Sequence, residues 1–375
     1  MLPHGKTSDF LKKVIRDYYR FRPLEEPGNL HMREIALESL EDRRYIRHLS
    51  FPYMEQLYNF IETMKTPLHL YYSSALYSNP SAEEMEAKGW QGSELIFDID
   101  ADKYPGCIQR YLVCSKSGVI INDGESCPSG EEPLKYSPVS WECILKAWGD
   151  ALKLRDILVQ DFGFSKVKIY FSGNRGFHVR VMDEEALPLT REQRRLIADY
   201  VACSNIDVDR IFPSYKDIVV FRRVEYGLRR RVLELAISRK LVKEKSVAGL
   251  RGLIINKSAL DELIRENCVK VDKVVTMDTS RLSRFVNSLN MKSGLRVVEV
   301  EPTVDLRGKG FADFSPFHGE VMVKPLVDAS QILVLDKFIG LRKGEIIRLE
   351  APYALYLAVN GLVEVRDSSG IGVKL

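Results

Sequence analysis

The spacing of apolar residues changes period repeatedly along the chain, from helical to strand-like and back. Phe10, Leu11, Val14, Ile15, Tyr18 and Tyr19 recur at helical intervals and predict a packing helix from Ser8 to about Phe21. Residues 31–37 and 45–51 predict two strands around an acidic turn, followed by a helix from Met54 to Met64 and a strand from Leu68 to Ser74. Ile144, Leu145, Trp148, Leu152, Leu154, Ile157 and Leu158 form the apolar stripe of a further helix, Trp141 to about Gln160. Next, 166–171 and 177–181 predict a hairpin across a small-residue turn. A helix over 189–202 follows, with Thr190 as its cap and Arg191, Arg194 and Arg195 exposed. Short strands at 296–300, 332–335 and 345–349, and a turn or two of helix at 353–359, complete the pattern. With no internal repeat, this mixture predicts an α+β fold with mixed or antiparallel sheets.

One stretch, Glu94 to Asp102, departs from ordinary patterning. Alternation along a strand sends Asp98, Asp100 and Asp102 to one face and Phe97, Ile99 and Ala101 to the other. Like charges sharing a face need a counter-charge. Hard carboxylate oxygens suit Mg²⁺ or Mn²⁺, and aspartates two residues apart can bridge a metal pair of the kind used in nucleotidyl and phosphoryl transfer. The competing explanation is a strand end running into an acidic turn at 102–106.

The turn Ser172-Gly173-Asn174-Arg175-Gly176, ahead of His178, also carries chemistry. Its glycines allow close approach of a ligand, Ser172 can donate to a phosphate oxygen and Arg175 can clamp it. No helix follows at once, so it is neither a Walker loop nor a dinucleotide fingerprint, and a plain glycine-rich hairpin accounts for the same residues. Arg33, Arg47 and His48 either line a phosphate-binding surface or are solvated charges.

Composition narrows the classes. A chain of 375 residues with 45% apolar content can bury its own core, and 55 basic against 52 acidic residues neither demands nor excludes a polyanionic partner. Met1 to Lys6 lack an apolar signal core, and no segment approaches the roughly 18 apolar residues of a membrane span, so a soluble cytoplasmic protein with no membrane partner is expected. Six cysteines are too sparse for a disulfide scaffold, and the fold is expected to stand without staples. Cys107, Cys114, Cys127 and Cys143 cluster without the close pair usual in structural zinc sites. Two readings stay open: reduced cysteines in a small β-rich insertion at 104–138, or a distorted zinc knuckle of Cys107, Cys114 and Cys127 with a fourth ligand. The basic run from Arg222 and Arg223 through Arg229, Arg230 and Arg231 to Arg239, Lys240, Lys243 and Lys245 is either a solvated face or a surface that tracks a phosphate backbone.

Taken together, these stretches resemble the archaeal and eukaryotic DNA primase catalytic (small) subunit, with a crenarchaeal cast. The resemblance covers nearly the whole chain. It is carried by 33–37, 47–51, 67–74, 97–102, 170–178 and 272–295. It implies a primase catalytic core over 1–185 and 266–375, bearing the cysteine-containing insertion at 104–138 and interrupted by a partly helical basic subdomain at 186–265. It implies that Asp98, Asp100 and Asp272 hold two divalent metals, Mg²⁺ or Mn²⁺. Asp278 competes for the third place; Asp272 is preferred because it lies eighteen residues before Asn290, the position matching the histidine of a family motif. On this reading Asp272 arrives on a strand, and Asp102 falls back to the turn.

Ser172, Arg175, His178 and Lys292 are the implied triphosphate contacts, with Arg47 and His48 at the rim. Asn290-Met291 departs from the family's His-Gly, and the family's zinc knuckle lacks its close cysteine pair here. The implied activity is nucleotidyl transfer in DNA replication: synthesis of short RNA or DNA primers on single-stranded DNA from nucleoside triphosphates, together with a primase large subunit. A repair or extension polymerase of the same superfamily, and a weakened scaffold subunit, are the competing functions.

Overall fold

A computed structural model describes residues 5–222, 224–247 and 250–374. Met1 to His4, Arg223 and the side chain of Lys245, which entered the sequence reading, lie outside the described residues. The α+β expectation holds, with several antiparallel sheets among about ten helices.

Two four-stranded antiparallel sheets frame the molecule. One runs in the order 298–299, 167–171, 176–181, 95–100, so the predicted hairpin pairs directly with the acidic strand. Its register sets His178 opposite Asp98 and Gly176 opposite Asp100. The other runs 282–284, 67–73, 35–39, 45–49. Trp141–Gln160 is a 20-residue helix whose buried Ile144, Trp148, Leu154 and Ile157 back the hairpin, with Trp148 and Phe177 ring centroids 5.2 Å apart. This backing makes the acidic strand a rigid support, its Phe97 and Ile99 being fully buried.

The C-terminal part is more regular than its sequence suggests. Phe317–Pro325 pairs with Ile347–Glu350 on one side and with the eleven-residue strand Val363–Val373 on the other. Ala351–Val359 is a helix buried on every side, so it carries no amphipathic stripe to read.

Residues Phe212 to Ile264 build a second, smaller core around Val219, Phe221, Val232 and Leu263. It includes a four-stranded sheet, 214–215, 218–221, 250–256 and 243–247, as well as helices. The basic run is partly built into the fold, while its Arg222, Lys240 and Lys243 are exposed. Arg229 binds Glu225 and the carbonyls of Ile211 and Val220, Arg230 pairs with Glu234, buried Arg231 pairs with Asp161, and Arg239 spans Glu262 and Glu266. Thr190 caps its helix with a full capping box, but Arg194, expected exposed, is buried and donates to the carbonyls of Ser93, Glu94 and Leu189 at 2.7–2.9 Å. It ties that helix to the start of the acidic strand.

The cysteines correct two expectations. All six are paired: Cys107–Cys143, Cys114–Cys127 and Cys203–Cys268. Cys107 is therefore not grouped with Cys114 and Cys127, and the three-cysteine zinc knuckle is not assembled. Among the described residues the metal-type cluster is Cys114, Cys127 and Glu131, but both sulfurs are spent in a disulfide and neither is a thiolate. The bridges are also staples that sparse cysteine content did not suggest. Cys107–Cys143 spans the 104–138 excursion and Cys203–Cys268 the second core, each at its neck.

Candidate active site

The acidic strand and the hairpin form one wall of a chamber of about 610 Å³. Asp98, Asp100, Ser172, Arg175, His178, Asn290, Lys292 and Arg47 all line it. The turn is held by Ser172, whose N–H donates to the Gly176 carbonyl at 2.8 Å, and by the Ala101 N–H, which donates to Arg175 O at 2.8 Å. Gly173 has φ 73°, and a Cβ on Gly176 would lie 2.0 Å from the Ile99 carbonyl oxygen. The glycines are thus fixed by backbone conformation and by strand approach, and the turn's form does not depend on a ligand.

Removal from water pushes the Asp98 carboxyl up; Arg281 and Lys103 oppose this, while Asp272 and Asp102 add to it. Burial, then Asp98 and Asp102, push Asp100 up to about 6. Among the described residues Asp98 Oδ1 is buried and has no hydrogen-bond partner, and neither does Nδ1 of His178, whose Nε2 lies 3.6 Å from that same oxygen. Burial, reinforced by Arg180, Arg284 and Arg281, lowers His178 to about 3, so its imidazole is neutral at pH 7. An unpartnered, hard oxygen beside a second elevated carboxyl is a donor set that suits Mg²⁺ or Mn²⁺.

Asp272 is not on a strand, which corrects that expectation. It caps the short helix Lys273–Met277, its Oδ1 accepting from Val274 N at 3.0 Å and from Val275 N, while Lys103 stands 3.6 Å from Oδ2. Its own N–H donates to the Asp98 carbonyl at 3.1 Å. It does not line the chamber, whereas Asp278 does. Asp278 is occupied by Ser280, N–H at 2.9 Å and hydroxyl at 2.8 Å, and it is the charge of Asp272 that Asp98 feels. Asp102 pairs with Arg175 at 3.1 Å.

Asn290 is buried and spans two loops, donating to the Ser172 carbonyl at 2.9 Å and accepting from the Lys292 N–H at 3.2 Å. Ser293 hydrogen-bonds the Gly173 carbonyl beside it. Lys292 has no anionic partner among the described residues, and burial together with Arg284 and Arg175 lowers its pKa. His48 does not line the chamber; it sits at φ 61° and turns to Glu34, which also binds Arg47 at 2.9 Å and buried Lys88 at 3.3 Å. Arg33 is buried against Glu94 at 2.5 Å and offers no phosphate surface.

Sequence reasoning missed Tyr45, Tyr71, Arg281 and Arg284 in the lining. The Tyr45 and Tyr71 rings stack at 5.7 Å, with Arg284 4.8 Å from the Tyr71 centroid. The available signal was the 282–284 strand, whose arginine lands opposite Tyr71 once it joins the sheet.

Carboxylates on a rigid strand, facing a cationic, glycine-bearing turn, are the groups that phosphoryl or nucleotidyl transfer calls for. Comparison with known proteins gives the family. The model for the DNA primase small subunit matches residues 142–302. A DNA primase small subunit PriS of Staphylothermus marinus is 44% identical over 371 residues, covering 97% of each chain. Those of Sulfurisphaera tokodaii and Sulfolobus acidocaldarius are 34% and 35% identical over 364 and 355 residues, covering at least 94% of each chain. The chain belongs to the DNA primase small subunit family. No helix among the described residues is long and apolar enough to cross a membrane.

Proposed function

We propose that the chain is the nucleotidyl-transferring subunit of a DNA primase, making short primers from nucleoside triphosphates on single-stranded DNA. The observation that carries this reading is the unpartnered Asp98 oxygen beside elevated Asp100, on the same wall as Arg175. Asp98, Asp100 and Asp272 would hold the divalent cations, Mg²⁺ or Mn²⁺, which when bound supply Lewis-acid activation of the attacking hydroxyl and neutralise charge on the leaving group.

The residues of the chain do the rest. Ser172, Arg175 and Lys292 bind the triphosphate, with Arg175 held in place by Asp102. Neutral His178 donates a hydrogen bond rather than charge. Asn290 contributes by locking the Ser172 turn to the Lys292 turn, which fixes the spacing of the two cations along the triphosphate. Arg47 stands at the rim, already half-committed to Glu34. We read 1–185 and 266–375 as the catalytic core, with 186–265 inserted, and a primase large subunit as the partner, as the small-subunit names of the relatives suggest.

The test is initiation on an unprimed single-stranded template, with ribo- or deoxyribonucleotides and Mg²⁺ or Mn²⁺, with and without a large subunit. A dinucleotide product is expected. Extension of an annealed primer with no dinucleotide under any condition would replace the primase by an extension polymerase.

A further inference from the structure

A second chamber of about 440 Å³ adjoins the first and shares Asn174, Arg175 and Lys292 with it. Its far walls come from remote stretches: Lys135, Ser137 and Val139 at the end of the cysteine-bearing insertion, and Tyr356, Val359 and Asn360 at the end of the buried C-terminal helix. No step assigned above uses this space. Lys135, Arg175 and Lys292 face it with a single carboxylate, Glu38, among the lining residues. Burial, with Arg284 and Lys292 adding, lowers His69 to about 2, so that ring is neutral. The chamber therefore carries an excess of positive charge and selects a small, strongly charged anion.

Lys135 is exposed and engages no carboxylate among the described residues, yet it does not sit on a floppy loop. Its neighbour Tyr136 is buried, donates to the Leu333 carbonyl at 2.5 Å and packs its ring 6.1 Å from that of Tyr356. Cys107–Cys143 closes the excursion behind it. The insertion thus presents one unpaired ammonium from a fixed strand into the space beyond Arg175 and Lys292.

We propose that this second chamber is the leaving-group subsite, which takes pyrophosphate from Arg175 and Lys292 and holds it against Lys135 before release. The inference rests on the nucleotidyl-transfer reading. In that reaction the primer 3′ oxygen bonds to the α-phosphorus as the bond from that phosphorus to the α–β bridging oxygen breaks. The electron pair leaves with the pyrophosphate, and the hydroxyl proton passes to solvent. The two cations shared by the chambers already touch the β- and γ-phosphates, so the product moves on without losing its counter-charges. Arg175, anchored to Asp102 on the carboxylate side, keeps its place and faces both chambers.

The test is product inhibition of Lys135→Ala in the full chain. The inhibition constant for added pyrophosphate should rise about tenfold, the loss expected for one charge-assisted contact, while KM for the nucleotide stays within about twofold. Lys135→Arg should restore tight inhibition, which a merely structural role for Lys135 would not produce. An unchanged inhibition constant would overturn the proposal, as would a parallel rise in KM, which would make Lys135 a contact of the substrate triphosphate. Titration of pyrophosphate into wild type and Lys135→Ala, followed by calorimetry, judges the subsite separately. If wild type makes no primers yet binds pyrophosphate tightly through Lys135, the nucleotidyl-transfer reading fails and the anion site stands. If both proteins bind it equally, the site fails.

Discussion

Asp100 carries its charge at a cost to stability. Its carboxyl is pushed up to about 6 by burial and by Asp98, above the 3.8 of a free aspartate. A raised folded-state value means that the stabilising form is the protonated one: its contribution is fully present below about 3.8 and is lost as pH rises through about 6. In chelator-treated protein, melting temperature should therefore rise as pH falls from 7.5 to 5.5, and Asp100→Asn should flatten that slope. A slope unchanged in the variant would show that Asp100 is not the titrating group. Arg175 makes a different prediction. Its partner across the turn is Asp102, and its place is at the junction of the two chambers, so Arg175→Ala should raise the nucleotide KM about tenfold or more with little change in template affinity. A loss confined to template binding would remove it from the triphosphate site.

At the scale of elements, the hairpin and the acidic strand act as a single device. Gly176 lets the hairpin lie so close that an added methyl would meet the Ile99 carbonyl, so Gly176→Ala should force the strands apart and cost roughly 1–3 kcal/mol, read by denaturant unfolding. This part was legible from sequence because alternation and turn chemistry are local: the strand, the Ser172–Gly176 turn and the 141–160 helix all lie where their periodicity puts them. Asp272 shows where legibility ends. Five residues of helix are too short to show a period, so its N-terminal cap read as part of a strand. Arg194 likewise gave no sign of burial, because two of its partners are backbone carbonyls some hundred residues away, which no side-chain pattern encodes. Arg231 in the basic run hid its burial for a similar reason: its partner Asp161 is remote in sequence.

For the whole molecule, the excursions are organised by covalent closures at their necks. The Cys203–Cys268 bridge closes 65 residues around the second core, and loop-closure entropy for that length stabilises by about 4 kcal/mol. Cys203→Ser with Cys268→Ser should accordingly lower the unfolding midpoint, with the greatest loss of amide protection in 212–264. An unchanged midpoint in wild type treated with reductant would show that the bridge contributes nothing. Composition could not foresee these pairings, since each joins segments brought together only by the folded chain. The same long-range assembly delivers Lys292 and Asn290 to the Ser172 turn, and the insertion strand to the second chamber.

The central claim is that Asp98 and Asp100 form the working centre rather than an acidic edge. Nucleotide incorporation by Asp98→Ala combined with Asp100→Ala tests it most directly, on a primed single-stranded template with Mg²⁺ or Mn²⁺. The account predicts that incorporation is abolished while the fold and template affinity are retained; synthesis at the wild-type rate in the double variant would contradict it.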